Sequence, residues 1–289
     1  MKAEGKKKMN KNKSGKKNLM NMKRKIITGV SLLVIGTSTT VAASPHTDYF
    51  NDFFGGMANS FVKETHDQVV VEAGIKMKIV ESVSGEKSSL VFVSFEKEDG
   101  TGFPDGAAIS DLELDMKQDV SYMVEQRLTE DRKKIIALFD IDTASSLEGK
   151  SVTVKAGAIV DDVTGEVLAG GPIKNKFTAH DRSDRYDIDL TLTQQNEKVG
   201  LKTIYVSAIG IEIEGERLDD QTSYLPEIAP VVKVITNDNQ MMELSVGSTS
   251  TTDVGFKWQY SLDGKGKRVF LDKAEIKKIM INDQIITVD

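Results

Sequence analysis

The chain contains no cysteine, three histidines and a single tryptophan among its 289 residues. The first absence excludes a disulfide framework, a thiolate metal site and a cysteine nucleophile, so packing alone must hold the fold. His46, His66 and His180 are far apart in sequence and adjoin predicted loops or linkers. A metal centre needs ligands at recognisable spacing, and none is present; the histidines read as solvated loop residues. No G-x-S-x-G, Walker A or dinucleotide fingerprint occurs. Gly264-Lys265-Gly266-Lys267 matches a phosphate loop only in composition and reads as a hairpin tip.

Acidic residues are plentiful. They cluster at Asp99, Asp105 and Asp111, at Asp140 and Asp142, at Asp161 and Asp162, and at Asp181, Asp184, Asp187 and Asp189. None follows the EF-hand spacing, so these carboxylates read as solubilising surface, with calcium near Asp181–Asp189 as the minor alternative. A glycosidase-like pair depends on separation in space, which spacing along the chain does not give. Catalytic, cofactor-binding and metal-binding residues are therefore assigned to none, and the chain is expected not to be an enzyme.

What is present is a sorting of charge. The first 25 residues hold eleven Lys or Arg and one acid (Glu4), formally +10, against −6 for the whole chain; residues 26–289 therefore carry −16. Between the two parts lies an uncharged stretch, residues 26–44 (IITGVSLLVIGTSTTVAAS), with Ile26, Leu32, Leu33 and Ile35 in its apolar half. Its length suits a single span, and basic residues stay on the cytoplasmic side, which places the chain after Pro45 outside. The hydroxyl run Thr37, Ser38, Thr39 and Thr40 and the small residues Val41-Ala42-Ala43 equally suit a cleaved signal, giving a secreted product that begins at Ser44. The basic tail has almost no apolar content; it reads as disordered, lying against anionic lipid rather than binding nucleic acid.

Residues 45–66 follow helical spacing with an aromatic face of Phe50, Phe53, Phe54, Met57 and Phe61. Such a juxtamembrane helix lies in the membrane interface, grips a partner, or simply covers the edge of the first sheet; the last is the plainer reading. From residue 68 the period becomes two. Ile75, Met77 and Ile79 alternate with polar or smaller neighbours, and residues 90–95 form a nearly continuous apolar run. Further strands are expected at 109–116, 120–126, 134–139, 152–160 and 166–169, separated by polar turns at 8–12-residue intervals. A charged, non-apolar segment at 178–185 marks a domain boundary. Beyond it, strands are expected at 186–193, 202–214, 231–236, 241–246, 256–261 and 276–281. Loops are expected at 215–230 and 247–253, a helical turn within 272–277, and a closing hairpin at Asn282-Asp283. Trp258 alternates with Phe256 and Tyr260 and reads as core. The expectation is an all-β chain: two consecutive immunoglobulin-like β-sandwiches (67–180 and 185–289) after one N-terminal transmembrane or signal helix.

This order of features resembles the exported part of membrane-anchored anti-sigma-factor-like regulators of Gram-positive bacteria: an extracytoplasmic domain of unknown function followed by a second β-domain. The residues that carry the likeness are 23–36 entering the membrane, the aromatic 49–54, the opener Val69-Val70-Val71 with 74–79, and 90–95. In the second half they are 186–193, 203–214 and 275–288. The resemblance implies a cell-envelope sensor or regulator whose partner is an unknown envelope protein or ligand. Full regulators of that kind carry a cytoplasmic segment that clamps a sigma factor. The basic tail here has no amphipathic periodicity, so sigma-factor binding is not expected of it. The alternative from a different class is a secreted or wall-associated adhesion module that displays binding loops such as 99–108 and 215–230.

Overall fold

The computed structural model describes residues 53–54, 64–219, 225–227, 229–252, 255–264 and 267–288. The basic tail and residues 26–44, with Ile26, Leu32, Leu33 and Ile35, lie outside them, as do Phe50, Met57 and Phe61. Among the described residues no helix is long and apolar enough to cross a membrane.

The described chain is all-β. Its first half runs β1 (Glu64–Thr65), β2 (Val69–Glu72), β3 (Ile75–Ser84), β4 (Ser88–Lys97), β5 (Ala107–Ile109), β6 (Glu113–Asp115), β7 (Val120–Leu128), β8 (Lys134–Thr143), β9 (Ser151–Ala156), β10 (Ile159–Asp161), β11 (Val167–Ala169) and β12 (Ile173–Thr178). The main sheet has the order β1-β3-β4-β8-β7, with β2 also on β3; two three-stranded sheets, β11-β10-β5 and β12-β9-β6, complete this half. Met77, Ile79, Val91, Val93, Phe95, Ile135, Ala137 and Phe139 point from the main sheet into one core. They meet Val152, Val154, Ile159 and Phe177 there, as period-two alternation requires. Gln126 of β7 closes a gap between sheets. Its side-chain oxygen accepts from the Ile109 amide at 2.7 Å, and its Nε2 donates to the Ile109 carbonyl at 3.1 Å.

The second half runs β13 (Asp184–Gln194), β14 (Glu197–Ser207), β15 (Gly210–Arg217), β16 (Val232–Thr236), β17 (Met241–Thr252), β18 (Gly255–Gly264), β19 (Lys267–Val269), β20 (Ile276–Ile281) and β21 (Gln284–Thr287). One antiparallel ladder joins them in the order β13-β14-β15-β18-β17-β16-β20-β21, with β19 on β18. β17 carries the ladder across two layers: Met241–Leu244 pairs with β16, and Ser245–Thr252 pairs with β18. The layers enclose a single core of Leu201, Ile213, Trp258, Tyr260, Val234 and Ile279. Trp258 fills core as its alternation implied.

Four expectations are corrected. Residues 202–214 are two strands, folded back at Ala208-Ile209. Residues 247–253 are not a loop, because β17 runs to Thr252; its Ser/Thr-rich second half is half-exposed strand. Residues 109–116 and 152–160 each break into two short strands. The short 3₁₀ turn Lys273–Glu275 falls within the expected 272–277, capped by the Asp272 carboxylate, which accepts from the Ala274 amide. The closing hairpin turns at Asn282, whose φ of +50° suits asparagine.

Candidate functional site: the seam between the two halves

The central strands β4 and β8 of the first half's main sheet are buried on both faces along most of their length. On β4 the residues that alternate with the core positions are Leu90, Phe92 and Ser94; on β8 they are Ile136, Leu138, Asp140 and Asp142. All but the two aspartates are buried. These side chains face the second half of the chain and divide the seam into an apolar end and an ionic end.

Ala208 and Ile209, at the β14–β15 turn, and Phe270 pack with Val83, Leu90, Phe92, Ile136 and Leu138 at the apolar end. An apolar turn is unusual in water, and here it is buried (Ile209 is 1% exposed). The Ala208 carbonyl accepts from the Leu271 amide at 2.8 Å, tying the turn to the segment that carries Phe270. Phe53 and Phe54 join the same cluster. Phe53 meets Phe92 edge-on at 5.0 Å, with the Arg127 guanidinium 4.1 Å from its ring centre. Phe54 reaches both sides, Phe92 at 6.4 Å and Phe270 at 5.0 Å. Edge-to-face pairs add about 0.5–1.5 kcal/mol to the area they bury, and a buried phenylalanine contributes about 1.5–3 kcal/mol. The aromatic face expected to cover the edge of the first sheet thus lies, at these two residues, on its outer face.

Polar alternation builds the ionic end. On β15, Ile211 and Ile213 point into the second core, so Glu212 and Glu214 point outward; on β18, Phe256 and Trp258 point in and Lys257 points out. Outward here means toward the first half, and Lys257 is 0% exposed. Its ammonium pairs with Asp142 and lies 3.8 Å from Glu212. Lys87, in the β3–β4 turn, pairs with Glu214, and Ser88 donates to Glu212 at 2.6 Å. Arg268 pairs with Asp140 at 3.0 Å. The turn approaches closely at Gly85, where an added Cβ would stand 3.1 Å from Ser207 Oγ.

Burial raises the Glu212 pKa; Lys257 and the Ser88 hydroxyl oppose the shift without cancelling it. Asp140 is raised by burial against the pull of Arg268. Burial and the neighbouring Glu214 push the Tyr205 phenol up to about 12. Three cations (Lys87, Lys257, Arg268) thus meet four carboxylates (Asp140, Asp142, Glu212, Glu214). Glu212 is fully enclosed, and one of its oxygens lacks a hydrogen bond.

The segment joining the halves is pinned from both sides. The Arg182 amide donates to the Ser84 carbonyl at 3.2 Å, and its guanidinium pairs with Glu64 at 2.7 Å. Lys273 donates to the Arg182 carbonyl at 2.7 Å and pairs with Asp184 at 2.9 Å. Glu86 shares a hydrogen bond with Asp181; burial first, and then this acidic neighbour, pushes its carboxyl up to about 7. The halves are docked rather than strung on a free linker.

Of the other sequence candidates, His66 is half-buried, not solvated: its Nε2 lies 2.9 Å from Ser82 Oγ and its ring packs on Phe177. A cleft of about 370 Å³ opens beside it, bordered by Gln68, Lys176 and Thr178. His180 is exposed, 3.4 Å from Glu148; His46 lies outside the described residues. Asp181 caps Ser183, Asp184 holds Lys273 and Asp187 holds Arg185. Among the described residues no three His, Asp or Glu side chains converge as a metal site would need.

No family model matches this chain, and no curated protein does. A crystal structure of a conserved domain protein from Bacillus anthracis is similar to it, with a TM-score of 0.56 and 13% identity over 81% of this chain and 83% of that one. At that identity the likeness concerns the fold alone.

Proposed function

We propose that this chain is a non-enzymatic, membrane-tethered extracytoplasmic protein with two consecutive immunoglobulin-like sandwiches, acting as a sensor or regulator at the cell envelope. One observation carries the reading: ten units of positive charge precede the uncharged residues 26–44, and sixteen of negative charge follow. The seam supports a non-catalytic role. Its carboxylates pair with Lys87, Lys257 and Arg268, an arrangement that positions one half on the other. The basic tail lies on anionic lipid, and the partner of the ectodomain is an envelope protein or ligand.

The test is fractionation of cells expressing the full chain, followed by N-terminal sequencing. Recovery in the membrane with the tail intact, and digestion of the C-terminal part by protease added outside, is the expected result. A cytosolic product would overturn the reading. The small residues Val41-Ala42-Ala43 favour a second reading, a secreted or wall-associated binding module. Recovery in the medium with a new N-terminus at Ser44 would select it.

A further inference from the structure

We infer that the apolar end of the seam is a docking groove whose occupant is this chain's own pair Phe53–Phe54, and that the pair is a latch: its seating and the docking of the second half on the first are one linked event. The groove has a wall from each half. Phe92, Leu90, Ile136 and Leu138 belong to the first sheet, whereas Phe270, Ala208 and Ile209 belong to the second half. Phe54 touches both walls, with ring centres 6.4 Å from Phe92 and 5.0 Å from Phe270. Phe53 is 6% exposed and fixed on the first wall by Phe92 and by Arg127, a cation that prefers a ring face to a bare apolar surface.

A group bound across two bodies stabilises their association by as much as that association stabilises its binding. Withdrawing the pair leaves Phe92 and Phe270 facing a gap, and the second half then rests on the ionic end and the Ala208-Ile209 turn. The inference concerns the folded halves and holds wherever the chain resides. In a tethered chain, Phe53–Phe54 would stand between the membrane side and both halves along the sequence.

The experiment compares amide hydrogen exchange in the purified full chain, in detergent micelles, with that of Phe53→Ala/Phe54→Ala and Phe53→Leu/Phe54→Leu. Peptides over 206–211 and 268–272 report the far wall; peptides over 256–260 report the second core. A latch predicts at least tenfold faster exchange on the far wall in the alanine variant, an unchanged second core, and substantial return toward wild type in the leucine variant. Unchanged exchange on the far wall would overturn the proposal, leaving the pair a cover for the first sheet. An equal rise in the far wall and the second core would overturn it too, as general loss of stability. Should the double variant fail to fold, Phe54→Ala carries the same readings, because the Phe54 ring meets Phe270 edge-on at 5.0 Å.

Discussion

On β8, Ile136 and Leu138 face the second half first, then Asp140 and Asp142, so a single strand carries the seam from its apolar to its ionic end. The ends differ in what they demand of a partner. Leu138 is satisfied by any apolar shape that excludes water, and its loss leaves a cavity. Asp142, half-buried, pairs with a cation at one place, and the loss of that cation leaves its charge without that partner. The apolar end supplies adhesion, and the ionic end fixes how the halves are registered.

The largest expected effect breaks the ionic end. Lys257→Met should cost about 3–5 kcal/mol in denaturant unfolding, because Asp142 and Glu212 lose their cation in a closed contact. Adding Asp142→Asn and Glu212→Gln to Lys257→Met should recover most of that loss. The apolar end should behave in the opposite way. Ile209→Ala should cost about 2–3 kcal/mol, and adding Leu138→Ala should deepen the loss, since neither residue strands the other. If the triple ionic variant were as unstable as Lys257→Met, or if the apolar double variant recovered, the contrast between the ends would be lost.

A smaller effect, read through pH, concerns the pinned linker. Glu86 has its pKa raised from 4.5 to about 7. The folded chain therefore holds a proton that the unfolded chain releases, and the stability this group contributes is complete below about 4.5 and lost as pH rises through 7. His66, lowered chiefly by burial, works the other way: its contribution is present above 6.5 and is lost as pH falls. Subtracting the unfolding midpoints of Glu86→Gln from those of wild type between pH 5 and 8 isolates the first effect. The difference should move in favour of the variant as pH rises, and a flat difference would show that the Glu86–Asp181 pair is not closed. The smallest effect is a control: Arg132→Ala, at an exposed pair with Asp105, should change stability by less than about 0.5 kcal/mol.

Much of the fold could be read from alternation alone. Ile75, Met77 and Ile79, or Phe256, Trp258 and Tyr260, declare their inward face without reference to anything distant. The seam was harder to see. The apolar runs at 90–95 and 134–139 already carried its signature, because a strand apolar on both faces is covered on both faces. What covers the second face is not local: Lys87 and Glu214 are 127 residues apart, and Lys257 and Asp142 are 115. In sequence, Glu212, Glu214 and Lys257 are indistinguishable from the solvent side of any half-buried strand. The turn at Ala208-Ile209 was hidden for the same reason, since a buried corner favours apolar residues where an exposed one would carry asparagine or aspartate. Phe53 and Phe54 were noticed for their spacing; that Phe54 has a partner on each half could only come from three dimensions.

Gln126 adds a consequence of another kind. Its carboxamide gives Ile109 the donor and acceptor that a neighbouring strand would otherwise present. A lone glutamine thereby finishes the border of a three-stranded sheet, and β5 has no bare backbone at that position to offer a second molecule. Exchanged for alanine, the same spot would become an unfinished selvedge, and self-association through that border would be the first fault to look for.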